Sequence, residues 1–172
     1  TINTDKHRTP ASTGSIFWFT VKVKKSSKKA DPLQLDNLRK ANVLVLDANK
    51  THGKSIGAML TTWNITYSLV AQGQDALEML YTAAINNMPF NIVFIDTKLT
   101  GMSSASVCSA IKNDSKLAHT HIIMLSRIGD KQKIVRQGKQ DISIIAKPVS
   151  QSTLFNCLNK VTGVTKNHLV QP

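Results

Sequence analysis

NIVFIDTKLTG, residues 91–101, is an apolar run that ends in a single acid, Asp96, and passes directly into a loop. Ile92, Val93, Phe94 and Ile95 have no polar residue among them, which is the pattern of a strand buried on both faces at the centre of a parallel sheet. Open α/β sheets build their binding sites at the carboxyl ends of such strands. Asp96 is therefore the candidate functional residue.

Working outward, the same pattern recurs. NVLVL (residues 42–46) runs into Asp47, residues 65–70 alternate loosely, residues 121–125 run into Ser126, and residues 142–146 run into Lys147. Between them lie stretches with helical periodicity. Ile56, Met59, Leu60 and Trp63 mark a helix over 50–63, and Ala76, Leu77, Leu80, Ala83 and Ala84 mark one over 74–87. Met88, Pro89 and Phe90 stop the latter before the central strand. Shorter helices are expected over 104–112, 131–137 and 151–161. Strand and helix thus alternate five times between residues 41 and 161. This predicts a five-stranded, doubly wound parallel sheet with helices on both faces and right-handed crossovers.

The chain has 172 residues, of which 41% are hydrophobic, enough for one core of about 120 residues and a smaller appendage. No run approaches the roughly 18 apolar residues of a membrane span, and residues 1–10 lack the apolar centre of a signal peptide. A cytoplasmic fragment without membrane contact is expected, and a chain that starts at Thr1 reads as part of something longer. Cys108 and Cys157 lie in expected helices and outside any CxxC pattern, as befits small reduced core residues. His119 and His121, entering a strand with no acid or cysteine at ligand spacing, read as ordinary strand histidines.

The net charge of +12 is unevenly spread: residues 1–41 hold nine Lys/Arg against three acids, and residues 42–172 hold thirteen against seven. The densest run, KVKKSSKK (residues 22–29), has no interleaved aromatic residue, so a solvated linker is expected there rather than a polyanion-binding patch. Ahead of it, Ile16, Phe17, Trp18, Phe19, Thr20, Val21, Lys22 and Val23 read as a strand in an N-terminal extension. With the preceding Gly14 and Ser15, this stretch resembles the closing strand of a histidine-kinase ATPase domain; the other reading is an ordinary edge strand. The expected organisation is an ATPase tail over 1–24, a basic linker over 25–40 in which Leu33, Leu35 and Leu38 form a short docking helix, a main domain over 41–163, and a tail over 164–172.

Four groups collect at the carboxyl ends of the main strands: Asp47, Asp96, Ser126 and Lys147. Two carboxylates, a hydroxyl and an ammonium belong together if the object handled is a phosphoryl group. Leu44-Val45-Leu46-Asp47, Val93-Phe94-Ile95-Asp96, Leu125-Ser126 and Ala146-Lys147-Pro148, in that order, resemble the response-regulator receiver domain. The resemblance covers residues 41–163. It implies a flavodoxin-like fold with strand order 2-1-3-4-5 and a phosphoryl acceptor at Asp96. It also implies Mg²⁺ held by Asp47 and Asp96, and assistance from Ser126 and Lys147. The implied partner is a histidine kinase or histidine phosphotransfer protein, together with other domains of the same chain; nucleic acid is not an expected partner. The fragment itself is not expected to be an independent enzyme, its parent being a histidine kinase.

The sequence also departs from that family. Receivers usually carry two adjacent acids after the first strand, and here the second is Ala48, which removes a direct oxygen ligand and weakens the expected Mg²⁺ site. Thr100 replaces a usual proline, and Ile144 stands where receivers place Tyr or Phe. Lys98 either neutralises part of the site or is solvated, and Arg127 either narrows access or points to solvent. Two functions compete: a receiver phosphorylated on Asp96, and a phosphorylation-deficient pseudo-receiver that docks or regulates within a hybrid histidine kinase. A basic nucleic-acid-binding module using residues 22–29 is the third reading.

Overall fold

The apolar runs become five strands: β1 (Asn42–Leu46), β2 (Thr66–Val70), β3 (Ile92–Asp96), β4 (His121–Ser126) and β5 (Ile142–Ala146). Helices α1 (Pro32–Arg39), α2 (Lys50–Thr62), α3 (Gly73–Ile85), α4 (Ser104–Asn113) and α5 (Gln151–Val161) are interspersed among them. The computed structural model describes residues 19–21, 32–127 and 142–163. The basic run at 22–29, the helix expected over 131–137 and the tail from 164 onward lie outside the described residues. No described helix is long and apolar enough to cross a membrane.

All strand pairings are parallel, in the order β2-β1-β3-β4-β5. After β1 the chain crosses outward to β2 and then returns past β1 to β3, so β1 and β3 lie side by side with Leu46 opposite Ile95. That reversal opens the crevice at the carboxyl ends of β1 and β3. Because strand side chains alternate between faces, each strand feeds two cores. Val43, Val45, Ile92, Phe94, Ile123 and Leu125 pack on one face with Ile56 and Leu60 of α2 and Leu154 and Leu158 of α5. Leu44, Leu46, Val93, Ile95, Ile122 and Met124 pack on the other with Leu77 and Leu80 of α3 and Val107 and Ile111 of α4. The Trp63 and Phe155 rings, 5.3 Å apart, tie the end of α2 to α5.

Helix starts follow local chemistry. The Asn49 side chain accepts the Thr51 and His52 amides, Ser103 that of Ser106, and Ser150 that of Thr153, each satisfying first-turn N–H groups that have no partner within the helix.

The chain divides into two units, Thr1–Ala30 and Asp31–Pro172. In the first unit, the described part of the expected N-terminal strand, residues 19–21, lies in no strand, and Phe19 is 77% exposed. Aromatic and β-branched composition favours a strand only where neighbours supply a ladder and a packed face. The second unit begins ten residues ahead of Ala41, where the domain was expected to start. Leu38 of α1 is fully buried in the α2/α5 core, so the docking helix belongs to the domain rather than to a linker. Leu38→Ala is expected to lower unfolding free energy by about 2–5 kcal/mol. Arg39→Ala, which removes only a surface ion pair with Asp36, should cost no more than about 1 kcal/mol. Urea unfolding midpoints of the two variants check the contrast.

Candidate functional site

Asp47 follows β1, Asp96 ends β3, Ser126 ends β4 and Lys147 follows β5. Direct pairing of β1 with β3 sets the two carboxylates side by side, with side chains only 1% (Asp47) and 9% (Asp96) exposed. Lys147 joins them: its Nζ lies 2.8 Å from Asp96 Oδ2 and 3.4 Å from Asp47 Oδ2. Ser126 is fully buried, and its hydroxyl has no hydrogen-bond partner among the described residues.

A fifth residue enters that the sequence reading missed. His52 Nδ1 bonds to Asp47 Oδ2. The available signal was its place in the first turn of a helix that starts directly after the strand, which folds residue 52 back over the strand end. The remaining carboxylate oxygens accept backbone amides: Asp47 Oδ1 takes the Asn49 N–H at 2.8 Å, and Asp96 Oδ1 takes the Lys98 N–H at 3.2 Å. Burial is the largest influence on Asp47 and pushes its pKa up, but the His52 bond, the Asn49 amide and the Lys147 charge together hold it below the ordinary 3.8.

Above these groups opens a cleft of about 670 Å³. Ala48, Asn49, Lys50 and His52 line it from the β1–α2 junction; Asp96, Lys98, Arg127 and Lys147 complete the wall. Lys98 and Arg127 are exposed. Leu99 packs into the α3/α4 core as the apolar plug of the loop, and Ile144 packs against the same core. His119 and His121 are exposed at the opposite end of β4.

A hard divalent cation needs several free oxygen ligands. Here each of the four carboxylate oxygens already has a protein partner, Lys147 supplies a positive charge between the two acids, and a methyl group stands at position 48. Among the described residues no group of three or more His, Cys, Asp or Glu side chains is arranged to hold a metal. Asp47 and Asp96 are the two acids that would hold Mg²⁺ here, and Ala48 supplies no third carboxylate.

The unfolded chain takes up a proton on Asp47 near the ordinary 3.8, whereas the folded chain does so only at lower pH. The stabilisation is therefore complete above that value and is lost as pH falls through the folded-state pKa. The melting temperature of the native chain should drop steeply below pH 3.8, and that of Asp47→Asn less steeply; melts between about pH 5 and 2 test it.

Comparison with known proteins agrees with this geometry. The chain is 29% identical over 128 residues to the protein PilG of Pseudomonas aeruginosa, covering 73% of this chain and 87% of that one. It is 27% identical over 82 residues to hybrid signal transduction histidine kinase L of Dictyostelium discoideum, covering 48% of this chain but only 5% of that protein's length. A response regulator of Chloroflexus aurantiacus superposes with a TM-score of 0.63 at 21% identity, over 72% of this chain and 98% of that one. The receiver domain of a Pseudomonas aeruginosa sensor histidine kinase, determined with magnesium coordinated in its active-site cleft, superposes with a TM-score of 0.59 at 21% identity, over 72% and 98%. Residues 43–159 match the response regulator receiver domain family, and the chain is a member of that family, the receiver domain of two-component phosphorelay systems.

Proposed function

We propose that this receiver is a pseudo-receiver: a docking and regulatory module of a hybrid histidine kinase, in which Asp96 is not an efficient Mg²⁺-dependent phosphoryl acceptor. The observation that carries the reading is the state of the two acids. Asp47 and Asp96 share the Lys147 ammonium, their other oxygens are taken, and Ala48 supplies no further ligand. In receivers that hold it, Mg²⁺ neutralises charge that gathers on the phosphoryl oxygens during transfer. Lys147, 2.8 Å from Asp96, meets part of that charge, and Ala48 supplies no ligand for the metal.

The family's partners, histidine kinases and phosphotransfer proteins, remain the natural partners of such a module, along with other domains of the same chain. A cytoplasmic location goes with that reading. The competing reading, a slow but real acceptor, draws on Asp96 standing at the strand end with Lys147 2.8 Å away.

Acetyl phosphate separates the two. In an active receiver the Asp96 carboxylate attacks phosphorus, the acyl–phosphate bond breaks, acetate leaves, and the protein gains one phosphoryl mass. The native chain with saturating Mg²⁺ is expected to gain none by intact-mass spectrometry. Ala48→Asp is expected to gain one, and the further change Asp96→Asn to abolish it. A Mg²⁺-dependent adduct on the native chain would sink the pseudo-receiver reading.

A further inference from the structure

Beneath α3 the apolar layer thins where the sheet ends. On the face that α3 covers, β1 offers Leu44 and Leu46, both fully buried, but the edge strand β2 places Ser68 beside Leu44. A small hydroxyl residue cannot carry a close-packed apolar layer across the last strand. An open groove of about 610 Å³ is left there. Met79 and Ala83 of α3 line it, with Met88 and Phe90 from the segment that leads into β3. Met88 is 68% exposed, so a large, adaptable apolar side chain stands in water beside this groove.

The charge of the groove is opposite to that of the chain. The sequence holds 22 Lys/Arg against 10 Asp/Glu, yet among the described residues the groove is lined by Asp75 and Glu78 and by no Lys or Arg. Of the other described acids, Asp36, Asp47 and Asp96 stand in ion pairs, and Asp114 accepts the Tyr81 hydroxyl. Asp75 and Glu78 have no ion-pair or hydrogen-bond partner for their side chains among the described residues. Asp75 lies in the first turn of α3, where an acid favours the helix start. Glu78, a turn further on, has no such use. Asp75, Met79 and Ala83 follow one another at i, i+4 and i+8, with Glu78 at i+3, so acids and apolar lining form one stripe of the helix.

We propose that this groove docks a partner protein segment in which a lysine or arginine lies next to a large apolar side chain. The cation meets Asp75 and Glu78, and the apolar side chain packs among Met79, Met88 and Phe90. Methionines accept apolar groups of varied shape, whereas the two acids fix the sign of the charge that can sit beside them. None of these residues lines the cleft over Asp96. Docking here therefore holds whether or not Asp96 accepts a phosphoryl group.

Amide-resolved NMR titration of the chain with an eight-residue peptide, two lysines and two leucines in a glycine–serine frame, tests this. Saturable shifts are expected at Ser68, Glu78, Met79 and Met88, with affinity falling as salt is raised. Because Asp75, Glu78 and Met88 are exposed, Asp75→Asn, Glu78→Gln and Met88→Ser should fold normally. Each of the two acid variants should weaken binding roughly two- to fivefold, the range for an exposed ion pair, and Met88→Ser should weaken it through lost apolar burial. Asp36→Asn, an acid outside the groove, should leave it unchanged. Peptides with acetylated lysines, or with serine in place of leucine, should bind less tightly. Absence of saturable shifts overturns the proposal, as do shifts that map away from the groove or equal binding of the acetylated peptide. Concentration-dependent shifts of the same amides without peptide would assign the groove to a second copy of the chain and would also overturn it. Acetyl phosphate labelling should be the same in these variants as in the native chain, which keeps this result separate from the state of Asp96.

Discussion

One ammonium group organises the carboxyl edge of this sheet. Lys147 Nζ reaches both Asp47 and Asp96, two acids whose side chains are almost wholly withdrawn from water. Burial of two like charges side by side is costly, and removing the one cation that serves both would cost on the order of 3–5 kcal/mol. Everything that brings these groups together is topological. β1 and β3 pair directly because the chain detours through β2, and β5 reaches the same edge because the sheet is parallel throughout. The pattern of apolar strands and the position of the charges are two aspects of one constraint: a buried sheet can carry ionised groups only at its ends, and only if they are paired.

Within that frame, Ala48 removes one of the acids that receivers usually carry at this edge, and Lys147, His52 and two backbone amides meet the four oxygens of the two acids that remain.

Much of the fold was legible in the sequence because its strands are extreme. NVLVL and IVFI allow no solvent-facing side, so a doubly covered parallel sheet was the only economical solution, and the acids that end those runs marked the site. The helix starts capped by Asn49, Ser103 and Ser150 fall at the expected residues, while other bounds moved by a residue or two, as in α3, which is Gly73–Ile85 rather than 74–87. Three features were not legible. His52 bears on Asp47 through helix geometry, not through any motif. The short helix around Leu38 was expected, but not that it belongs to the domain core, which it shares with Leu154 and Leu158 more than a hundred residues on. Composition marks residues 16–23 as a strand, and the described part, Phe19 to Val21, lies in none.

The burial of Leu38 also bears on the order in which the domain is completed during synthesis. Helix α1 precedes every described strand, yet it rests against α5, the last described element, and Leu38 shares its core with Leu154 and Leu158. When α1 leaves the ribosome its cover has not been made. Eight residues cannot hold a helix alone in water, so this segment waits, unstructured, until the opposite end of the chain arrives. The first described element is therefore among the last to take its place, and the domain closes by joining α1 to α5.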